Sequence, residues 1–373
     1  MTSESTTIDP TSVLAPEFTE ARRTELIEKI GLIIPFVDTA TWSLLWLADI
    51  ERLEYLANLQ KGFLTKVLES PNYGALLKWA SRMRAIEDPE KTTPPTKKRK
   101  RRSESVKEMC LERDQCCILT KKDEPLEIAH IYPFSMAGRP RTEQQAFWDG
   151  LTTWWTEEEV AEWEKELTGP EGTEVIQNEL CLSCDSHALW GKARFVLQPL
   201  ELSDDRKVLK ARFFWLPIFK YSNSIDVTTR PSLPSNLSFV GKRIKLFNCK
   251  TAAQIHSGDI ITMETINADT HPLPSIKLLN MQFALTRALG MSGAADVDPD
   301  QWDNNDSDDS DEEEEEELKE ELVEELVAQP RGRAPNLQEN QHPSRAASRM
   351  SSKATPGSRD TSRSFSRSVR RRY

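Results

Sequence analysis

The sequence predicts an α+β protein, because a segment with helical periodicity is followed by short segments that alternate like β-strands. Apolar residues recur at every third or fourth position over 20–86, which is the spacing of amphipathic helices. Segments rich in Val, Phe and Leu follow at 194–198 and 208–215 and indicate a pair of strands. Charged segments with few apolar residues cannot fold by burial. We therefore expect a mixed fold with disordered charged segments.

Composition limits the class of protein. Of the 373 residues 38% are hydrophobic and 29% charged, so the chain can bury one sizeable core but not its whole length. It contains no apolar run of about 18 residues and no secretion signal over 1–16, which predicts a soluble protein with no membrane partner. Its six cysteines form no regular framework and indicate reduced intracellular thiols. The net charge of −11 comes largely from one acidic tract, so it does not exclude nucleic acid as a partner.

Changes in composition divide the chain into segments. In chain order they are a disordered N-terminus (1–19), a helical region (20–86) and a basic linker (87–105). The domain that carries the candidate functional residues follows (106–295), and then a disordered tail that is acidic and later Ser/Arg-rich (296–373). The helical region is interpreted as a small domain or as an arm that binds a partner, and Pro35 and the turn at 71–74 divide its helices. The basic tail is expected to make transient contacts with RNA or DNA.

The basic linker carries six consecutive cations, Lys-Lys-Arg-Lys-Arg-Arg at 97–102, after two prolines. Such a run stays solvated and extended, and it is typical of a nuclear-localisation signal that an import receptor binds. The alternatives are a plain solvated linker or a segment that makes sequence-independent phosphate contacts. We favour nuclear targeting.

Within the domain at 106–295, short helices and strands are expected in quick succession. Residues 106–113 predict a helix, 116–120 a first strand and 126–131 a second, with a turn at 121–125 between the strands. A short helix is expected at 184–190. The order is strand, strand, helix.

A long segment with helical spacing lies between the second expected strand and the short helix. Residues 142–167 read as a helical insertion, in which Thr156 and Glu159 form a capping box. A further strand region at 248–262 and a closing helix at 274–289 complete the expected elements.

A histidine, an asparagine and a histidine occur in this order on these elements. They are His130 within A-H-I-Y-P-F, Asn178 within N-E-L-C-L and His187 within H-A-L-W. The motif C-I-L-T precedes them at 117–120, and Phe195, Leu197 and Pro199 follow them. This ordered set resembles the HNH endonuclease family, as it is found in HNH-domain proteins of fungi.

The resemblance implies a ββα-metal core that hydrolyses phosphodiester bonds of DNA with one divalent cation, Mg²⁺ or Mn²⁺. By position, His130 corresponds to the general base, and Asn178 to the residue whose amide fixes the loop that orients the base. His187 corresponds to the histidine that faces the cation. A neutral imidazole suits a base that works near neutral pH.

One position departs from the family pattern. Many members carry a second metal ligand immediately before the base histidine, where this chain has Ala129. The alternative hypothesis is therefore a catalytically reduced HNH-fold module that acts as a nuclear binding or scaffold protein.

The cysteines raise the question of a structural zinc ion. Cys181 and Cys184 form a C-x-x-C, but Cys110, Cys116 and Cys117 lack the spacing of a second pair. Free buried thiols are the favoured interpretation and structural Zn²⁺ is not expected.

Overall fold

The computed structural model describes residues 15–69, 73–80, 103–137, 139–169, 172–241 and 243–296. The expectations for the N-terminus up to residue 14, for the basic run at 97–102 and for the charged tail from 297 lie outside these residues. All described residues fall within one compact unit, Met1–Ser307. Over the described ranges, no helix has both the length and the apolar character needed to cross a membrane.

The N-terminal region is helical, as predicted. Its α-helices, α1 to α5, are Ala21–Gly31, Thr39–Leu47, Ile50–Asn58, Lys61–Glu69 and Tyr73–Ala80. The segment between Pro35 and the predicted turn at 71–74 forms α2, α3 and α4 instead of one helix, because the backbone becomes extended at Ala48 and again at Leu59. The carbonyl of Ala48 accepts a hydrogen bond from the buried guanidinium of Arg23, and the Asp49 carboxylate accepts one from the backbone of Thr156.

These helices share the main hydrophobic core with the β-sheets and the closing helix. The indole of Trp46 in α2 donates to the carbonyl of Val227 at 3.0 Å, and the indole of Trp79 in α5 donates to Thr286 Oγ1 at 3.1 Å. Thr286 belongs to the closing helix, Ile276–Ser292, which is buried along most of its length. Gly293 ends that helix with a φ of 72°, and a Cβ there would lie 2.4 Å from the backbone of Lys220, so only glycine fits.

The motif region forms an antiparallel hairpin followed by a helix. Strand β2 (Leu126–His130) pairs with β3 (Glu179–Ser183), with His130 opposite Glu179, and helix α10 (Cys184–Gly191) follows directly. The predicted strand at 126–131 and helix at 184–190 are confirmed. The chain's strand β1 is the short Phe36–Val37, which pairs with β6 at Ile225–Asp226.

The predicted strand at 116–120 is wrong, because this segment is a tight turn. The backbone N–H of Lys121 donates to the carbonyl of Cys117, and Lys121 takes a left-handed φ of 55°. The Cys117 sulfur also accepts a hydrogen bond from the N–H of Thr120. Ile118 donates to the carbonyl of Cys181 in β3, so the turn lies beside the hairpin without joining it.

The insertion between the two strands is helical, as predicted. After helix α6 (Glu104–Asp114) and the short α7 (Phe134–Ala137), it contains α8 (Arg141–Leu151) and α9 (Glu157–Lys165). The Thr156 hydroxyl accepts from the N–H of Glu159 and caps α9. Trp148 stacks on Tyr132 with ring centroids 5.5 Å apart, so the insertion packs on the residues that follow β2.

A second sheet supports the hairpin. Strands β4 (Phe195–Leu202), β5 (Val208–Trp215) and β7 (Ile260–Glu264) are antiparallel, in that order. The strand pair predicted at 194–198 and 208–215 is confirmed. The closing helix α11 (Ile276–Ser292) packs against β4 and α2.

A buried ion pair joins α6 to the hairpin. The side chains of Arg113 and Asp114 are 0% and 1% exposed, and the guanidinium donates to both Asp114 oxygens. The same guanidinium also donates to the carbonyls of Ile176, Glu179 and Pro272 at 2.7 to 3.0 Å. Arg113 therefore links α6, the start of β3 and the segment before the closing helix.

We expect Arg113→Met to lower the free energy of unfolding by about 3–5 kcal/mol, because it leaves the buried Asp114 carboxylate without its counter-charge. Denaturant unfolding followed by circular dichroism measures this loss. The matched control is Arg206→Met, since Arg206 pairs with Asp269 at the surface, where both side chains are more than half exposed. That control should change stability by less than about 1 kcal/mol. Equal losses in the two variants would contradict the structural role given to Arg113.

Candidate functional site

His130 is the last residue of β2 and lies in a buried, carboxylate-lined site. Its Nε2 is 2.9 Å from Oε1 of Glu174 and 3.5 Å from Oε1 of Glu179. The Phe134 ring lies 5.5 Å from the imidazole, and the indole of Trp190 donates to the His130 carbonyl at 3.2 Å. Strand pairing, helix α10 and α7 thus fix both the backbone and the ring of His130.

The contact with Glu174 determines which ring nitrogen of His130 carries a hydrogen. An ionised carboxylate only accepts hydrogen bonds, so Nε2 is the donor when Glu174 is ionised. In the neutral imidazole the lone pair is then on Nδ1. Glu174 itself is held because its Oε2 accepts from the backbone N–H of Ser103 at 2.7 Å. A neutral His130 therefore has its basic nitrogen on the side of the ring away from Glu174.

Asn178 lies immediately before β3 and is fully buried. Its side-chain oxygen accepts from the N–H of Tyr132 at 2.7 Å, and its amide nitrogen donates to the carbonyls of Tyr132 and Thr173 at 3.1 and 3.0 Å. The Asn178 carbonyl also accepts from the N–H of Ile131. The amide thus holds the chain directly after His130 against the chain before β3. Its contribution to catalysis stays a prediction.

His187 lies on α10 and faces a different carboxylate. Its Nδ1 is 2.5 Å from Oε2 of Glu127, and the two side chains are 16% and 47% exposed. Side chains alternate along a strand, so Glu127 and Ala129 lie on the face of β2 opposite to His130. The structure brings His130 and Asn178 together at the end of β2, whereas it places His187 with Glu127 on the α10 side.

Two groups of side chains among the described residues could hold a metal ion. His130, Glu174 and Glu179 offer ligand atoms within 4.8 Å of one another, and all three are buried. Their nitrogen and carboxylate oxygens match the preference of Mg²⁺ and Mn²⁺ for hard ligands. Sequence reasoning missed both glutamates. Glu179 follows Asn178 directly, which is a signal, whereas Glu174 lies in a loop with no periodic pattern.

The second group consists of Cys110, Asp114 and Cys181, again within 4.8 Å of one another. Hydrogen bonding to Cys181 and burial raise the pKa of the Cys110 thiol well above its ordinary value. The Arg113 guanidinium donates to both Asp114 and Cys110. A neutral thiol and a neighbouring fixed cation both oppose metal binding, so this group is better described as part of the core.

The two cysteines of the C-x-x-C point to different surroundings. Cys181 lies in a small buried cluster with Cys110, Ile128 and Ile176. Hydrogen bonding to Glu127 raises the pKa of the Cys184 thiol, which lies on the α10 side of the hairpin. The pair therefore does not act as one unit in this structure.

The sequence model of a family described as HNH endonuclease matches residues 116–198. The matched segment contains the turn before β2, both strands of the hairpin, the helical insertion, α10 and the start of β4. No curated protein and no solved structure matches the chain. The observed order is β2 ending at His130, Asn178 immediately before β3, and His187 on α10; β3 takes the place in the strand pair that was expected for 116–120. Residues 116–198 are thus similar to the HNH endonuclease family, and this similarity supports an HNH-type domain in that segment.

Proposed function

We propose that this protein is a divalent-metal-dependent endonuclease that hydrolyses phosphodiester bonds of DNA with His130 as the general base. The family match supports a nuclease-like domain. The observation that carries the proposal is the contact between His130 Nε2 and Glu174, because it leaves Nδ1 of the neutral ring as a base.

Each residue of the site has a separate role in the proposed reaction. Hydrolysis requires a base that takes a proton from water while water attacks phosphorus, and His130 Nδ1 supplies it. Glu174 orients the ring and stabilises the imidazolium that forms, as a carboxylate does beside a catalytic histidine in other hydrolases. Asn178 prevents the chain after His130 from shifting. His187 would face a bound divalent cation, and such an ion would supply positive charge opposite the charge that develops on the phosphate oxygens.

A second candidate function is a binding or scaffold module that retains the fold without the activity. Ala129 favours it, because this position is fully buried within the main hydrophobic core and offers no ligand. The helical region of the chain would then contribute the binding surface. A wild-type protein that cleaves DNA supports the nuclease, and a folded wild-type protein that does not cleave DNA supports the binding or scaffold module.

We expect the full-length protein to nick supercoiled plasmid DNA with Mg²⁺ or Mn²⁺, and His130→Ala to lower the rate about 10²–10⁴-fold, as loss of a general base does. Gel separation of supercoiled and nicked plasmid measures the rate. The control is His256→Ala, since His256 is exposed and lies outside the motif. If wild type and His130→Ala are equally inactive with every divalent metal, the nuclease proposal fails and the scaffold role stands.

We expect Glu174→Gln to slow cleavage because a glutamine amide can donate to Nε2, which moves the ring hydrogen to Nδ1 and removes the base. The fall should exceed about 10-fold, with Mn²⁺ affinity unchanged by calorimetry. A double variant with His130→Ala should be no slower than His130→Ala alone, since the two residues act as one unit. Additive losses would show that Glu174 acts independently of His130.

We also propose that the basic run at 97–102 directs the protein to the nucleus through an import receptor. Residues 92–105 fused to a fluorescent carrier too large for passive diffusion should concentrate it in nuclei. A fusion in which the six cations are alanine is the matched control and should stay in the cytoplasm. Nuclear retention of the full-length protein with the same six alanines would instead implicate the Ser/Arg-rich tail.

A further inference from the structure

The two motif histidines are held by carboxylates through opposite ring nitrogens. His130 contacts Glu174 through Nε2 at 2.9 Å, and His187 contacts Glu127 through Nδ1 at 2.5 Å. Because an ionised carboxylate only accepts, each contacting nitrogen carries a hydrogen when its carboxylate is ionised. In the neutral rings the lone pairs are therefore on Nδ1 of His130 and on Nε2 of His187. The two rings are prepared for different partners.

The arrangement at His187 is the one in which proteins prepare histidine as a metal ligand. A ligating histidine almost always donates its other ring N–H to a carboxylate or carbonyl, which fixes the tautomer and makes the ligating nitrogen more basic. Glu127 occupies that place for His187. Their side chains are 47% and 16% exposed, so an ion and a substrate phosphate could approach the pair from solvent.

Glu127 also holds α10 in position. Cys184 and His187 are three residues apart, so they lie on the same face of the helix. Glu127 contacts both of them, since hydrogen bonding to Glu127 is the main cause of the raised pKa of Cys184. The carboxylate thus restrains the His187 ring through the ring nitrogen and through the helix that carries it.

We propose that Glu127 is the positioning residue that presents Nε2 of His187 to the divalent cation. The proposal rests on the proposed nuclease function and names how this chain meets the cation without a ligand at position 129. Glu127 and Ala129 lie on the same face of β2. The carboxylate that serves the cation site is therefore that of Glu127, two residues before Ala129, and it acts through His187.

The metal-free part of the proposal is tested by the histidine tautomers. Long-range ¹H–¹⁵N correlation spectra of protein labelled at its five histidines, above the pH at which the rings protonate, report which ring nitrogen carries hydrogen. We expect Nδ1–H at His187 and Nε2–H at His130. In Glu127→Ala, His187 should change to Nε2–H, whereas His130 should not change. A wild-type His187 with hydrogen on Nε2 overturns the proposal.

The cation itself is tested by calorimetric titration of the full-length protein with Mn²⁺. We expect His187→Ala to lose the site and Glu127→Gln to weaken it about 10–100-fold, the usual effect of losing a carboxylate behind a ligating histidine. The matched control is Glu112→Gln, because Glu112 forms the same kind of pair with His271, at 3.0 Å, outside the motif. Thermal unfolding of each variant confirms that it is folded.

The outcomes separate this inference from the nuclease function. Wild-type Mn²⁺ affinity in Glu127→Gln overturns the inference. Mn²⁺ binding that survives His187→Ala but is lost in His130→Ala also overturns it, because the ion would then lie with Glu174 and Glu179. Mn²⁺ binding that depends on Glu127 and His187 in a protein that cuts no DNA supports the inference while the nuclease function fails. Cleavage that needs His130 but is unchanged in Glu127→Gln, together with unchanged binding, leaves the nuclease and removes Glu127 from its site.

Discussion

The Arg113–Asp114 pair is the constraint on which the site depends. Removing two charges from water is costly, and the cost is offset only when every donor and acceptor finds a partner. Arg113 meets that requirement by binding the carbonyls of Ile176 and Glu179, which lie on either side of Asn178. Helix α6 thereby fixes the short segment from which the Asn178 amide reaches the chain after His130. The charge pair contributes more to the position of the segment that carries Asn178 than to net stability.

The site joins segments that are distant in sequence, and the helical insertion connects them. Asn178 follows the insertion and His130 precedes it, so the insertion must return the chain to the end of β2. It does so by packing: Tyr132, which both donates to and accepts from Asn178, also stacks on Trp148 of α8. A rigid apolar insertion and a polar amide hold the same residue from two sides. This explains why a long insertion is compatible with a compact ββα unit.

Periodicity predicted most elements, because amphipathic helices and half-buried strands leave a repeating pattern in the sequence. It failed at 116–120, where apolar residues are buried in a turn whose backbone bonds to β3 and itself. It also could not find Glu174 or Glu127, since a carboxylate in a loop or on an exposed strand position carries no pattern. From the sequence, Ala129 could be interpreted only as a position that lacks a metal ligand. The structure shows that it is fully buried, so a carboxylate there would lose its hydration.

The register of the hairpin determines which carboxylate serves which histidine. Side chains alternate along β2, so Glu127 must face away from His130, toward α10, and cannot reach the buried site. Within the part of the chain that the structure describes, the carboxylates that contact His130 are those of Glu174, before β3, and Glu179, its partner at the start of β3. A slip of one residue would exchange the two faces and bring Ala129 to the base position. The pairing of β2 with β3 therefore determines which face of the hairpin each of these carboxylates occupies, and so which histidine Glu127 and Glu179 can reach.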